Sequence, residues 1–156
     1  MSIQLRRPQS DSDWSQARRL IEDYADSLHL DLSFQDFGRE LEHLSREYAP
    51  PSGAFLLASE DGVTLGGVGV RQFAAGIGEI KRLYVIPAAR GLGVGRLLAQ
   101  GIVSVSRELG FVRLLLDTLP SMTEAHALYE SLGFRPTRAY RFNPVPGTSF
   151  LELDLA

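Results

Sequence analysis

"RLYVIPAARGLGVGRLL", residues 82–98, passes from a strand-like stretch to a helix-like one and places glycines at 91, 93 and 95, where the helix should begin. Glycine costs about 0.8–1.0 kcal/mol against alanine inside a helix, so three at alternate positions do not serve local stability. Either the backbone turns there in a way a Cβ would block, or something approaches the main chain closely. Strand, glycine-rich turn and helix are also a general arrangement for holding phosphate, because unpaired amides at the helix start face outward and the helix dipole favours an anion. Two such patterns fail here. Counted from Gly91, the third glycine of a dinucleotide fingerprint falls on Arg96, and Gly95 is followed by Arg96-Leu97 where a P-loop needs Lys-Ser/Thr.

Working outward, the periodicities predict an α/β domain over residues 1–156. IQLRRP (3–8) reads as a strand ended by Pro8, and Ser10 with Asp13 reads as a capping box opening a helix that carries Trp14, Ala17, Leu20, Ile21, Tyr24 and Leu28 on one face. A second helix is expected from Ser33, with Phe34, Phe37, Leu41 and Leu44, stopped by Pro50, Pro51 and Gly53. AFLLASE and VTLGGVGVRQF read as strands joined by an Asp61-Gly62 hairpin, and IGEIKRLYVI (77–86) as a third strand ended by Pro87. A helix from the glycine loop to Gly110 follows, then a doubly buried strand VRLLLDT (112–118), a helix TEAHALYESL, and strands around FRPTRAYRF and TSFLELDL. The predicted order is β α α β β β α β α β β, a mixed sheet of about seven strands with four helices.

Composition removes several classes of function. The chain has no cysteine, so thiolate chemistry and disulfides are excluded. His29, His43 and His126 lack metal-ligand spacing, and no metal site is expected. No apolar run approaches the roughly 18 residues of a membrane span, and MSIQLRRPQSDSDW does not read as a signal peptide, so a cytoplasmic protein is expected. A net charge of −3 argues against nucleic acid. The charge is unevenly spread: residues 71–113 hold seven basic groups against Glu79 and Glu108, while residues 1–50 hold six basic and ten acidic ones.

With these elements placed, Arg90-Gly91-Leu92-Gly93-Val94-Gly95 matches the R/Q-x-x-G-x-G/A pyrophosphate loop of the GNAT N-acetyltransferases, EIKRLYVIPAARGLGVGRLL resembles that family's central strand, loop and helix, and ALYESLGF its later signature. The resemblance covers the chain from end to end and is strongest over 79–134. It implies a GNAT fold and transfer of an acetyl group from acetyl-CoA to an amine. The amides from Gly91 to Arg96, with Arg90 and Arg96, would hold the coenzyme's pyrophosphate, and the main chain of Leu83, Tyr84 and Val85 would meet the pantetheine. Ile80 has even parity and Leu83 and Val85 odd, which suggests a bulge between them; the family carries one there.

The resemblance also assigns the chemistry. Glu79 is expected to draw the amine's proton, with Asp117 as runner-up, and Tyr129 to protonate the leaving sulfur. A main-chain amide near Leu83 would meet the oxyanion. Where many members have an asparagine, this chain has Leu119-Pro120-Ser121-Met122-Thr123, leaving Thr118 or Ser121 to replace that contact. The acceptor wall is expected from the first two helices and the last hairpin, with Tyr24, Phe34, Tyr140 and Asn143 as contacts, and its aromatics favour a small primary amine drawn by the acidic N-terminal third. A protein or peptide acceptor and a non-catalytic acyl-CoA sensor stay open as alternatives, and a homodimer is compatible with the family.

Overall fold

In the computed structural model, which describes residues 2–29 and 36–156, the Ser10–Asp13 pair does what its spacing predicts. The Asp13 amide donates to the Ser10 hydroxyl at 3.1 Å and the Ser10 amide donates to the Asp13 carboxylate at 3.4 Å. Helix α1, Asp11–Leu28, therefore starts with its orphan donors met from both directions. Arg6 of strand β1, Gln4–Arg6, donates to Asp13 at 2.5 Å. That bond, helped by the Gln9 amide, lowers the Asp13 carboxyl to about 2.

The helical segment after α1 differs from the expected single helix. It is cut at His43 into α2, Phe37–Glu42, and α3, Leu44–Glu47, so five helices stand where four were predicted. The His43 amide bonds back three residues to the Glu40 carbonyl at 3.1 Å, while Arg46 and Glu47 both donate to the His43 carbonyl, at 3.0 and 2.8 Å. The hydrogen-bond ladder closes and restarts at that residue. Ser33 and Phe34 lie outside the described residues.

The remaining elements are β2 (Gly53–Glu60), β3 (Val63–Ala74), β4 (Ile77–Val85), α4 (Val94–Glu108), β5 (Arg113–Thr118), α5 (Thr123–Ser131), β6 (Arg135–Pro136) and β7 (Ser149–Asp154). They form one seven-stranded sheet in the order β1-β2-β3-β4-β5-β7-β6, with β4 and β5 parallel and the other neighbours antiparallel. The mixed α/β architecture is the expected one. Asp61 and Gly62 take φ of 50° and 79°, the left-handed pair that a tight hairpin demands.

Period-two alternation then sorts the sheet into two cores. Val68, Val70, Ile80, Leu114 and Leu116 pack under Leu98 and Ile102 of α4. On the opposite face Phe55 and Leu57 meet Leu20 and Ile21 of α1 and Tyr48. Gly69 is required by space: a Cβ there would lie 2.4 Å from the Tyr48 ring.

FRPTRAYRF does not run as one strand. Pro136 has no N–H to continue the ladder, the Thr137 amide makes one more bond to the Phe150 carbonyl at 2.8 Å, and the chain then leaves the sheet. Residues 137–142 instead carry Tyr140 and Arg141 to Glu79. Among the described residues no helix is long and apolar enough to cross a membrane.

Candidate active site

The bulge predicted in β4 is present. Gly69 pairs with Lys81 and Gly67 with Tyr84, so Arg82 and Leu83 together stand opposite Val68. Arg82 takes φ 65°, a conformation a non-glycine residue holds only when its surroundings compel it. The compelling contact is buried. Arg82 Nε donates to Glu40 Oε2 at 2.9 Å and Nη2 to Oε1 at 2.8 Å, and the Tyr48 hydroxyl donates to the same Oε2 at 2.8 Å. Burial pushes the Glu40 carboxyl up, but Arg82's hydrogen bonds and charge outweigh it and hold the group below its ordinary value. Neither the anchor nor Glu40's part in it was foreseen from sequence.

The other edge of β4 is opened by divergence from β5. Their pairing stops at Glu79 with Leu115, so from Ile80 onward β4 has no β5 partner. The gap continues into a groove of about 720 Å³ past Tyr84, Val85, Arg90, Gly91 and Ser121, and into a smaller one of about 160 Å³ lined by Gly91, Gly93, Val94 and Gly95. The opening glycines separate into two kinds. Gly91 and Gly93 have φ of 81° and 83° with open space where a Cβ would point, so they serve the turn. Gly95 is ordinary helix, its Cβ position 3.7 Å from Leu128.

Helix α4 begins without any side-chain cap, and the Leu97 amide bonds to the Gly93 carbonyl at 3.1 Å. The amides before Leu97 have no carbonyl within the helix, a donor set suited to phosphate. Arg90 donates to the Val85 carbonyl at 3.1 Å and lies over the Tyr84 ring. The Leu92 side chain is exposed and Arg96 donates to Ser131 at 3.0 Å, at the edge of the groove rather than in its wall.

Where the strands part, a narrow cleft of about 40 Å³ gathers Tyr24, Lys81, Leu83, Asp117, Thr118 and Tyr129. Tyr24, Leu83 and Met122 line both this cleft and the groove. Burial raises the Tyr129 phenol well above its ordinary value, with Tyr24 adding to the effect, so at neutral pH the hydroxyl keeps its proton. Burial likewise raises Tyr24 to about 12. Thr118 Oγ1 is buried without a hydrogen-bond partner, an acceptor and donor in reserve at the missing asparagine's side of the cleft. Asn143 donates to Asp117 at 3.1 Å.

Glu79 is placed differently from Tyr129. It is 2 % exposed and lines a separate cavity of about 420 Å³ with Arg46, Glu47, Arg71, Phe73 and Arg141. Both its oxygens are engaged: Tyr140 donates to Oε2 at 2.6 Å, Arg141 to Oε1 at 2.7 Å, and Lys81 Nζ stands 3.7 Å from Oε1. Lys81 lines the Tyr129 cleft and stands beside Glu79 of this cavity; burial lowers it to about 8 against the opposing pull of Glu79, with Arg82, Arg141 and Arg71 assisting. The negative acceptor wall expected from the acidic N-terminal third is not what borders Glu79, where three arginines stand. His29 closes α1 in a left-handed conformation and His126 lies 3.4 Å from Glu130.

Residues 14–134 match the model of the Acetyltransferase (GNAT) family. An uncharacterised N-acetyltransferase of Schizosaccharomyces pombe is 38% identical over 141 residues, covering 89% of this chain and 86% of the relative. The crystal structure of a GNAT-family acetyltransferase from Staphylococcus aureus superposes with a TM-score of 0.81 over 99% of this chain and all of the other, at 19% identity. PaiA N-acetyltransferase from Thermoplasma acidophilum, solved with coenzyme A, gives a TM-score of 0.76 over 99% of each chain at 18% identity. The divergent parallel strands, the bulge and the uncapped helix behind a glycine turn thus coincide with a family match over most of the chain, and the protein belongs to the GNAT family of acetyltransferases.

Proposed function

We propose that this N-acetyltransferase acts as a single domain over residues 1–156 and moves the acetyl group of acetyl-CoA directly to the primary amine of a small metabolite or amino acid. The observation that carries the reading is the position of the Tyr129 cleft. It shares Tyr24, Leu83 and Met122 with the groove on the glycine-loop side, and its Lys81 stands 3.7 Å from Glu79, which lines the cavity on the other. That cavity is bounded by the chain folded back at Tyr140 and Arg141, and its volume falls in the roughly 300–1,000 Å³ range of small-molecule sites.

The chain's donors fit the coenzyme. The amides of Gly91 to Arg96 and the Arg90 guanidinium would receive the pyrophosphate, the open edge of β4 at Leu83 and Val85 the pantetheine amides, and the Thr118 hydroxyl or Ser121 a further polar atom. Bound acetyl-CoA supplies an activated acetyl thioester, whose carbonyl carbon bonds to the amine nitrogen as its C–S bond breaks. Tyr129, protonated at neutral pH, gives its proton to the departing sulfur, and the Leu83 amide faces the carbonyl oxygen. The amine's proton goes to Asp117, the carboxylate that lines the cleft itself, whereas Glu79 lies outside the cleft lining and already accepts from Tyr140 and Arg141. Glu79 is then a positioning residue for Lys81 and Arg141.

The test is release of free thiol from acetyl-CoA across a panel of amines and amino acids, with mass detection of the product. Acetylation of peptide N-termini with no small amine acetylated would overturn the small-molecule reading. Tight coenzyme binding with no turnover on any amine would identify a sensor.

A further inference from the structure

The cavity beside Glu79 has a chemical character of its own. Arg46 of α3, Arg71 of β3 and Arg141 of the segment after β6 converge on it against two carboxylates, Glu47 and Glu79. Part of that charge is spent internally: Arg71 lies 3.6 Å from Glu47 and 3.7 Å from Glu40, and Arg141 is 2.7 Å from Glu79. One donor is left over inside the wall. Arg141 Nε is buried behind the cavity surface with no acceptor, so the cavity is met by the rest of the Arg141 side chain. The guanidinium is nevertheless fixed in place, with Phe73 and Tyr140 rings each 5.8 Å from its carbon. Arg46 stands at the exposed rim.

We infer that this cavity holds the carboxylate of the acceptor, so that the molecule acetylated is an amino acid or a similar amino-carboxylate and not a simple cationic amine. Planar guanidinium groups match a carboxylate through paired N–H donors. Among the lining residues the arginines outnumber the carboxylates, three to two, which favours an anionic group on the ligand. Glu79 of this cavity lies 3.7 Å from Lys81, which lines the Tyr129 cleft with Asp117, so in this proposal the acceptor's amine is directed to the Glu79–Lys81 side. The inference rests on the proposed amine acetylation for the identity of the ligand, but the site can be tested without turnover.

Succinate, which has carboxylates and no amine, is the direct probe. It should bind the wild-type protein in calorimetry without coenzyme and should inhibit competitively against the acceptor. Arg46→Ala, at an exposed position where folding is not at stake, and Arg141→Gln should each weaken succinate about ten-fold or more, the effect of losing a charged hydrogen bond. No succinate binding, binding unchanged in both variants, or inorganic phosphate binding as tightly would overturn the inference. In the acetylation assay glycine and β-alanine should exceed methylamine and ethylamine, the same amines without the carboxylate, by about ten-fold in kcat/KM. Acetylation with no such preference overturns the inference and leaves the proposed function intact. Arginine-dependent succinate binding without acetylation of any amine would instead uphold the anion site and overturn the proposed function.

Discussion

Replacing Glu40 with Gln keeps the volume of the side chain that anchors the β4 bulge and removes its charge. Glu40 is 1 % exposed and Arg82 5 %, so neither can turn to water without opening the core between α2 and the sheet. Two charge-assisted bonds of 2.8 and 2.9 Å would be weakened, and Arg71, 3.7 Å away, would lose a neutralising partner. Leaving one half of such a buried pair costs about 3–5 kcal/mol, a large share of the roughly 5–15 kcal/mol that holds a domain together. In urea unfolding at pH 7 the midpoint should fall by roughly 2 M for a slope near 2 kcal/mol/M. The sign of the pH effect follows from Glu40's lowered folded-state value. Its stabilisation is complete above the unfolded carboxyl's pKa of about 4.3 and is lost as pH falls through the folded one. Gln does not titrate, so wild type and variant should converge as the solution is acidified. A loss under about 1 kcal/mol at pH 7, or a gap unchanged between neutral and acid, would refute the anchoring role.

Three further substitutions separate the parts of the site. Gly93→Val puts a β-branched residue at φ 83° and should weaken acetyl-CoA binding in calorimetry while the protein stays folded; unchanged affinity would remove Gly93 from the phosphate loop. Tyr129→Phe should lower kcat by about 10²–10⁴-fold with little change in coenzyme affinity, and an unaltered rate at saturation would leave Tyr129 a packing residue against Phe134. Asp117→Asn should reduce kcat most at neutral pH and recover as pH nears the amine's own pKa, whereas Glu79→Gln should chiefly raise KM for the acceptor by loosening Arg141. The reverse pattern would make Glu79 the base.

Local signals carried much of the fold. The Ser10–Asp13 box, the Asp61-Gly62 turn and the parity break between Ile80 and Leu83 each depend on residues a few positions apart, and each appears as read. The split at His43 and the early end of β6 lie at the limit of such reading, although Pro136 itself signalled the latter. What was not legible is set by distant contacts. Arg82's left-handed backbone depends on Glu40, 42 residues earlier. The engagement of Glu79 depends on Tyr140 and Arg141, 61 and 62 residues later, and on a chain path that β7 pairing with β5 dictates. A carboxylate's surroundings therefore could not be inferred from its place at the start of a strand, and the charge of the first 50 residues did not foretell the arginines that reach the same cavity.

The two long helices at the N-terminal side and under the groove begin in opposite ways. Helix α1 supplies its own cap from Ser10 and Asp13, while α4 starts at a glycine that has no side chain to offer. In the proposed binding mode a coenzyme phosphate at that terminus would do the work of a missing residue and become in part a structural component of the helix. Its binding energy is then also folding energy: about 2.7 kcal/mol at a hundred times the dissociation constant, by mass action alone. The first turn of α4 should gain the most, since its amides exchange an unanswered dipole for an anion. Under that binding mode the supply of acetyl donor would help set how long the chain stays folded, and added acetyl-CoA should raise the midpoint of urea unfolding.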